Sequence, residues 1–211
     1  MTEHHTGGEQ AAWEREYRIR GRRYGRAPRD LPSLAPGIWV LDAGCGDGKT
    51  LAAMASKGWN IIAIDFSRSA LGLCRRNPFA GAVEYVLADA TALPFRDETF
   101  DAVFLIHCAG HAQETARNTL ASESFRVLRS GGRLFFAGFS TADFRADRGT
   151  AVDPSTMLKG DGILTHYFTR DEVILLFSPL IPVSVSEETW SLKIRGRTLQ
   201  RAEIVGEFQR E

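Results

Sequence analysis

Cysteine, net charge and long apolar runs are all scarce in this chain of 211 residues. Its three cysteines, Cys45, Cys74 and Cys108, are odd in number and widely spaced, which excludes a disulfide framework and a cysteine-rich metal site. The 26 basic and 26 acidic side chains cancel, whereas proteins whose main task is to bind nucleic acid usually carry a basic excess. No segment approaches the roughly 20 apolar residues of a membrane-spanning helix.

These absences define the class of protein that we expect. The polar, acid-containing N-terminus does not resemble a signal peptide, and so few cysteines fit a reducing compartment. We therefore expect a cytoplasmic protein of one domain, monomeric or homodimeric, that needs no membrane and no metal. Nucleic acid is an unfavoured partner.

The most informative stretch is a glycine-rich loop between a predicted strand and a predicted helix. The apolar run 38–41 indicates a buried strand, Gly44, Gly46 and Gly48 follow it, and a helix is predicted from Thr50. This order is typical of the nucleotide-binding start of a doubly wound sheet. A tight structural turn is the alternative interpretation, since glycine also serves turns that need positive φ.

The spacing and charge of the loop indicate which ligand it would bind. In the dinucleotide fingerprint G-x-G-x-x-G a third glycine stands where this chain has Lys49. Asp42 and Asp47 flank the loop, and their carboxylates would repel a pyrophosphate but attract a cation. A nicotinamide-dependent dehydrogenase is therefore disfavoured.

Asp42, Gly44, Gly46 and Gly48 match in register the first motif, D/E-x-G-x-G-x-G, of the class I S-adenosylmethionine-dependent methyltransferases. The chain resembles the small-molecule members of that family, of types 11 and 25. The resemblance implies an α/β fold: a Rossmann-like, doubly wound sheet of seven strands in the order 3-2-1-4-5-7-6, with strand 7 antiparallel and helices on both faces. It also implies that Asp42, Gly44, Cys45 and Gly46 bind S-adenosyl-L-methionine.

Two further motifs extend the predicted cofactor site. Asp65 ends the second predicted strand about 20 residues after the first glycine, where an acid can accept hydrogen bonds from ribose hydroxyls. Phe66 follows and is placed to lie on an adenine face. The alternatives are a helix cap for Asp65 and core packing for Phe66.

The third predicted strand leads into the pattern A-D-A-x-x-L-P-F over residues 88–95. This closely resembles a later motif of small-molecule methyltransferases. It implies that Asp89 accepts a hydrogen bond from the adenine amine, with the Ala90 backbone beside it. A plain turn residue is the alternative for Asp89, and Asp101, at the start of the fourth strand, suggests a structural role.

Three histidines are candidates for catalysis. His107 ends the fourth predicted strand, where ligands of open α/β sheets bind, so it is a candidate for cofactor contact as well as for a base. His111 lies in the following loop, and His166 precedes a predicted helix. For His107 and His111 the alternative is a solvated loop residue.

The N-terminal residues 1–36 are predicted to form a helix, lid and linker, and residues 37–211 the methyltransferase domain. A short helix is expected over 13–23, with residues 1–11 disordered, and Trp13, Tyr17 and Tyr24 are candidate lid residues. Tyr167 is a further candidate for contact with the substrate. The arginine-rich character of this segment equally fits a solvated helix face.

The remaining segments complete the predicted sheet. A helix over 113–128, ended by the Ser-Gly-Gly at 130–132, leads into a fifth strand over 133–138. Residues 141–162 lack periodicity and are predicted to be a long functional loop. A capping box at Thr169 begins another helix, and a C-terminal hairpin turns at 195–197.

The predicted function is transfer of a methyl group from S-adenosylmethionine to a small-molecule acceptor by in-line displacement. One alternative changes the acceptor to RNA, including tRNA, on the strength of the local arginine clusters. A second alternative is a non-catalytic protein that binds S-adenosylmethionine.

Overall fold

The computed structural model describes residues 6–21, 31–77 and 79–211. The strands, in chain order, are β1 (Trp39–Ala43), β2 (Asn60–Asp65), β3 (Val83–Leu87), β4 (Phe100–Ile106), β5 (Leu128–Phe139), β6 (Thr150–Asp153), β7 (Thr156–Leu158), β8 (Leu164–His166), β9 (Ile181–Ile194) and β10 (Arg197–Gln209). The helices are α1 (Thr6–Arg20), α2 (Leu51–Met54), α3 (Arg68–Cys74), α4 (Glu114–Val127) and α5 (Arg170–Leu176). Short 3₁₀ turns cover Ala55–Lys57, Ala80–Ala82 and Ala109–His111.

Seven strands form the main sheet in the order β3-β2-β1-β4-β5-β10-β9. The first five run parallel, and β10 pairs antiparallel with both β5 and β9. The predicted order 3-2-1-4-5-7-6 with a reversed last strand is thus confirmed. The order reverses at β1 and β4, so a crevice opens beyond their carboxyl ends, as in other doubly wound sheets.

The central strands read as continuous apolar runs because both of their faces are covered. Leu41, Val103 and Phe136 face one side and pack with α4 and α5. Their neighbours Val40 and Phe104 face the other side and pack with α2 and α3. Since strand side chains alternate between faces, each strand supplies both halves of the core.

The C-terminal hairpin turns on two residues, Arg195 and Gly196, which have φ of 48° and 76°. Positive φ at both central positions is the type I′ geometry, whose twist matches that of the flanking strands. The predicted hairpin is therefore confirmed, with strands longer than the alternation indicated.

Three local predictions were wrong. Helix α1 begins at Thr6, so residues 6–11 are helical rather than disordered. Helix α4 ends at Val127 and the chain enters β5 directly, because Gly131 N donates to the Arg210 carbonyl and Arg210 N to the Gly132 carbonyl. Gly131 keeps a positive φ of 75°, and the register with β4 shifts at this point, so the Ser-Gly-Gly segment is a bulge within β5 rather than a free turn.

The segment 141–162 is likewise not a plain loop. It contains β6 and β7, which form a small antiparallel sheet with β8. These strands are only three or four residues long, so their pairing gives little periodic signal in the sequence. No helix in the described part of the chain is long and apolar enough to cross a membrane.

Candidate functional site

The glycine loop after β1 is fixed by backbone hydrogen bonds to the end of β2. Gly44 N and Cys45 N both donate to the Ile64 carbonyl at 2.9 Å, and Gly46 N donates to Asp65 Oδ2 at 2.9 Å. A cleft of about 300 Å³ opens beside this loop, at the carboxyl end of the sheet. The residues lining it are Glu9, Gln10, Gly44, Asp65, Phe66, Leu87, Ala88, Asp89, Ala90, Thr91, Cys108, His111, Ala112, Ala116 and Leu120.

Gly44 shows why the loop requires glycine. Its φ of 78° disfavours any side chain, and a Cβ built there would lie 2.5 Å from Cys108 Sγ. Gly46 has φ of 56°, and a Cβ there would lie 2.6 Å from the Tyr17 hydroxyl oxygen. The loop backbone is therefore a close-packed wall of the cleft, and its glycines are more than turn formers.

Buried carboxyl groups surround this wall. Asp42 is 2% exposed beneath the loop, and its Oδ2 has no hydrogen-bond partner within the described residues. Burial, and then the neighbouring Asp65, raise the pKa of Asp42 to about 7. Burial likewise raises the pKa of Asp65 to about 6. Such a site favours a positively charged ligand, which would stabilise the ionised carboxylates.

Asp65 joins the glycine loop to the start of α3. Its Oδ2 accepts from Gly46 N, and its Oδ1 accepts from Ser67 N at 2.8 Å. The side-chain cap of α3 is Ser67, whose Oγ accepts from Ala70 N at 3.1 Å. Because each carboxylate oxygen has two lone pairs, Asp65 keeps capacity for ligand hydroxyls, and its predicted ribose contact stays a prediction.

The opposite wall comes from the segment after β3. Asp89 Oδ1 accepts from Thr91 N and from Thr91 Oγ1, both at 2.8 Å, so Asp89 does form a turn. It also lines the cleft together with Ala90 and Phe66. The turn and the predicted adenine contact are therefore compatible at this residue.

Helix α1 covers the cleft and is anchored on two sides. Glu14 accepts from Ser67 Oγ at 2.7 Å and from Ser69 Oγ at 2.5 Å. On the other side, Arg15 Nη2 donates to the Asp161 carbonyl at 2.8 Å. Residues 1–36 thus contribute at least α1 directly to the site.

Two residues of α1 extend into the cleft itself. Gln10 Nε2 donates to the Phe66 carbonyl at 3.0 Å. The buried Glu9 Oε1 has no hydrogen-bond partner within the described residues. Burial and then Asp89 raise the pKa of Glu9 to about 6, and Glu9 lines the same cleft as Asp65 and Asp89.

Two of the predicted lid aromatics lie on α1. Trp13 is buried, stacks on Tyr17 with ring centroids 5.4 Å apart, and meets the His111 ring edge-on at 4.8 Å. Tyr24 lies outside the described residues. Tyr167 is buried beside Phe139, at 6.4 Å between centroids, rather than in the cleft lining. Its predicted contact with substrate is untested.

His111 is the one predicted histidine that lines this cleft. Its Nδ1 lies 2.7 Å from the Leu164 carbonyl oxygen. Since a carbonyl only accepts, Nδ1 must carry the proton, and the neutral ring then has its lone pair on Nε2. That tautomer is the one a base acting through Nε2 requires.

The other two histidines have partners elsewhere. His107 has φ of 54°, stacks on Phe139 at 4.4 Å, and places Nε2 3.2 Å from Glu203 Oε2. Its ring points to β5 and β10, while the next residue, Cys108, lines the cleft. A cofactor contact through its backbone stays a prediction.

His166 is buried between the small sheet and α5. Its Nδ1 lies 2.6 Å from Thr156 Oγ1, and its Nε2 lies 2.7 Å from Glu172 Oε1. This arrangement supports a structural role, and the predicted catalytic role has no support from the geometry.

Comparison with known proteins identifies this arrangement. Residues 41–136 match the family model described as a methyltransferase domain. A SAM-dependent methyltransferase structure from Methanosarcina mazei superposes with a TM-score of 0.69 at 23% identity, covering 86% of this chain and 100% of that one. Within residues 41–136 the chain is therefore similar to methyltransferase domains.

The curated relatives that this chain matches have different acceptors in their names. A demethylmenaquinone methyltransferase of Clavibacter sepedonicus is 41% identical over 113 residues, 52% of this chain and 45% of the relative. A tRNA N(3)-methylcytidine methyltransferase of Schizosaccharomyces pombe is 26% identical over 151 residues, 65% of this chain and 49% of the relative. The chain spans about half the length of the curated relatives it matches.

The similarity to methyltransferases implies S-adenosyl-L-methionine as the cofactor, and the described residues fit it. Asp42 Oδ2 and Glu9 Oε1 are buried acceptors that lack a partner within the described part of the chain. Gly44 lines the cleft with backbone alone. Acceptors of this kind and an open backbone wall suit a cationic ligand with ammonium and hydroxyl donors.

Sequence reasoning missed the contributions of Glu9, Gln10 and Glu14, because it began the helix at Trp13. Gln10, Trp13 and Tyr17 are spaced at i, i+3 and i+7, which places them on one helical face. That spacing was the available signal. No sequence signal indicated that Cys108 lines the cleft, since only the approach of β4 to the glycine loop brings it to that position.

Proposed function

We propose that this protein transfers a methyl group from S-adenosyl-L-methionine to a small-molecule acceptor by in-line displacement. The observation that carries the proposal is the cleft itself: a glycine wall bordered by Asp42, Asp65 and Glu9, whose carboxyl groups have raised pKa values. When bound, the cofactor supplies a methyl group on a positively charged sulfur. The chain's own residues bind it, orient it and exclude water.

In this proposal the cofactor residues divide by position. The glycine loop, with Asp42, Gly44, Cys45 and Gly46, holds the charged end. Asp65 accepts from the ribose hydroxyls. The adenine part is held by Asp89, the Ala90 backbone and the Phe66 ring.

His111 is the residue that we assign to the acceptor. Its Nδ1 is fixed by the Leu164 carbonyl and its ring by Trp13, so that Nε2 is the basic atom. An acceptor that must lose a proton would give it to Nε2. Helix α1, with Trp13 and Tyr17, forms the cover that excludes water from this reaction, and residues 37–211 hold the cofactor.

An RNA acceptor is the second candidate, and the similarity to a tRNA methyltransferase over 151 residues favours it. A small molecule is preferred because the chain's formal net charge is zero. The similarity to the demethylmenaquinone enzyme, at 41% identity, also supports it.

Two measurements test the proposal. Calorimetry should show saturable binding of S-adenosylmethionine and S-adenosylhomocysteine, and tighter binding of NAD would refute the cofactor assignment. Cofactor labelled in its methyl group is then incubated with a metabolite panel and, separately, with total RNA. Label in metabolites alone supports the small-molecule assignment, label in RNA supports the second candidate, and binding without transfer to either would leave a non-catalytic binding protein.

A further inference from the structure

A second group of charged side chains lies at the carboxyl end of β5, apart from the cofactor cleft. Four cations gather there around one buried carboxylate, that of Asp143, and we call them the basic cluster: Arg145, Arg148, Lys159 and Arg201. Asp143 Oδ1 accepts from Arg145 Nε at 2.9 Å, and its Oδ2 accepts from Arg201 Nε at 2.6 Å. Asp143 also accepts from Ala202 N at 3.3 Å, so it fixes two guanidinium groups to the sheet.

Aromatic rings hold the same cations in place. The Phe139 ring has Arg145 Cζ 4.2 Å and Arg201 Cζ 5.1 Å from its centroid. Lys159 Nζ lies 4.9 Å from the centroid of Tyr167. Ring faces attract cations without neutralising them, so the cluster is preorganised while its positive charge persists.

The charge balance favours an anion. Lys159 Nζ donates to the Arg145 carbonyl at 3.2 Å and to the Arg148 carbonyl. Burial, followed by the charge of Arg145, lowers the pKa of Lys159, although Asp143 and Asp161 act in the opposite direction. Four cations thus lie around the Asp143 carboxylate, which Arg145 and Arg201 already share, and a bound anion would reduce the repulsion among them.

The basic cluster lies next to the methyl-transfer cleft. The His107 ring stacks on Phe139, and the residue that follows it, Cys108, lines the cleft. Strands β4, β5 and β10 are adjacent, so about 10 Å, two strand spacings, separates the end of β4 from β10. One small molecule can span that distance.

We infer that the basic cluster binds an anionic group, a carboxylate or a phosphate, of the methyl acceptor. That the anion belongs to a methyl acceptor rests on the proposed function, whereas the anion site itself does not. Guanidinium groups offer planar pairs of N–H donors that match either oxyanion. The inner part of the cluster is recessed, with the Arg201 side chain 16% exposed and Tyr167 1% exposed, whereas Arg148 is exposed. A recessed guanidinium suits a small molecule better than an RNA backbone.

The first test measures the anion site by itself. The ¹⁵N-labelled full chain is titrated with inorganic phosphate at constant ionic strength, with chloride as the reference anion. Amide shifts should concentrate at 143–148, 159 and 201, and Lys159→Gln should raise the half-saturating concentration about tenfold or more, because it removes a charged donor. The exposed Arg148→Gln gives a second variant that leaves the buried contacts intact.

Lys57→Gln is the matched control. Lys57 is exposed in the 3₁₀ turn between α2 and β2, and β2 lies towards the opposite edge of the sheet from β10. It should leave phosphate binding unchanged. Shifts that chloride reproduces, or equal effects of Lys57→Gln and of both cluster variants, would overturn the anion site.

The second test connects the site to methyl transfer. Carboxylic acids and phosphate monoesters are each compared with their neutral methyl ester or dephosphorylated analogue as acceptors of labelled methyl. The anionic member should have the lower KM, and Lys159→Gln should raise that KM at least tenfold while kcat changes little. Preference for neutral acceptors, or transfer to RNA alone, would overturn the inference. A chain that fails to bind S-adenosylmethionine in calorimetry refutes the proposed function instead, and the phosphate titration still decides the anion site.

Discussion

The substitution Asp42→Asn tests whether ionisation of the buried Asp42 carboxyl group lowers the free energy of unfolding. Asp42 is buried beside Asp65, and burial together with that neighbour raises its pKa from 3.8 to about 7. Asparagine has nearly the same shape and no charge at any pH. It therefore removes the ionisation and leaves the packing of the glycine loop almost unchanged.

The sign and size follow from proton linkage. When a group has a higher pKa in the folded chain than in the unfolded chain, its contribution to stability is fully present at pH values below the pKa of the unfolded chain. That contribution is lost as the pH rises towards and through the pKa of the folded chain. Between pH 5 and pH 8 this loss amounts to roughly 2–3 kcal/mol for Asp42, taking 1.36 kcal/mol per pKa unit. Asp42→Asn should thus gain about 2–3 kcal/mol relative to the wild type over that range.

The assay is urea unfolding of ligand-free protein at pH 5 and pH 8. For a chain of this size the expected gain corresponds to roughly 4–12 °C in Tm, so thermal melts give an independent reading. Asp147→Asn is the control, because Asp147 is exposed and outside the cleft. A stability difference between Asp42→Asn and the wild type that is the same at both pH values would refute the reasoning.

We also expect Asp42→Asn to lower the affinity for the cofactor. Wild-type carboxylates would be stabilised by the cationic cofactor, so its affinity should rise between pH 5 and pH 8 as protons leave. Asp42→Asn should bind the cofactor more weakly at pH 8 and show a flatter pH dependence. Equal affinities at pH 8, measured by calorimetry, would show that Asp42 has no electrostatic part in binding.

Three further variants test individual residues of the cleft. Asp65→Ala should weaken S-adenosylhomocysteine binding about tenfold to a hundredfold by removing charged hydrogen bonds, and unchanged binding by the folded variant would restrict Asp65 to tethering the loop. Gly44→Ala should destabilise the chain by about 1–3 kcal/mol and abolish cofactor binding, because its Cβ would meet Cys108 Sγ at 2.5 Å, whereas Gly72→Ala, with open space around it, should do neither in melts and calorimetry. His111→Gln should lower kcat about 10²–10⁴-fold with unchanged cofactor affinity, and retention of full kcat would rule out a base at this position.

Local sequence determined the parts of this protein that depend on neighbouring residues. Continuous apolar runs specify strands buried on both faces, and glycines at fixed spacing specify a loop with positive φ. The sequence also predicts the capping box, whose Thr169 Oγ1 accepts from Glu172 N at 3.3 Å. These features need only contacts within a few residues of the chain, so their pattern is visible before folding.

The tertiary structure decided which of the candidate side chains meet. His107 and His111 are four residues apart, but positive φ at His107 directs its ring to Glu203, while the 3₁₀ turn that follows places His111 in the cleft. Likewise, Ser-Gly-Gly at 130–132 predicts a turn, and its hydrogen bonds with Arg210 build that turn into β5 as a bulge.

The basic cluster is the clearest case of what sequence does not show. Arg145 and Arg201 are far apart along the chain, and they share the Asp143 carboxylate only because β10 returns beside β5. The segment 141–162 gave no periodic signal for a different reason: β6 and β7 are only four and three residues long, although they pair with each other and with β8 nearby in the chain. Charge and burial are properties of the assembled surface, so the anion site exists only after the chain has brought these residues together.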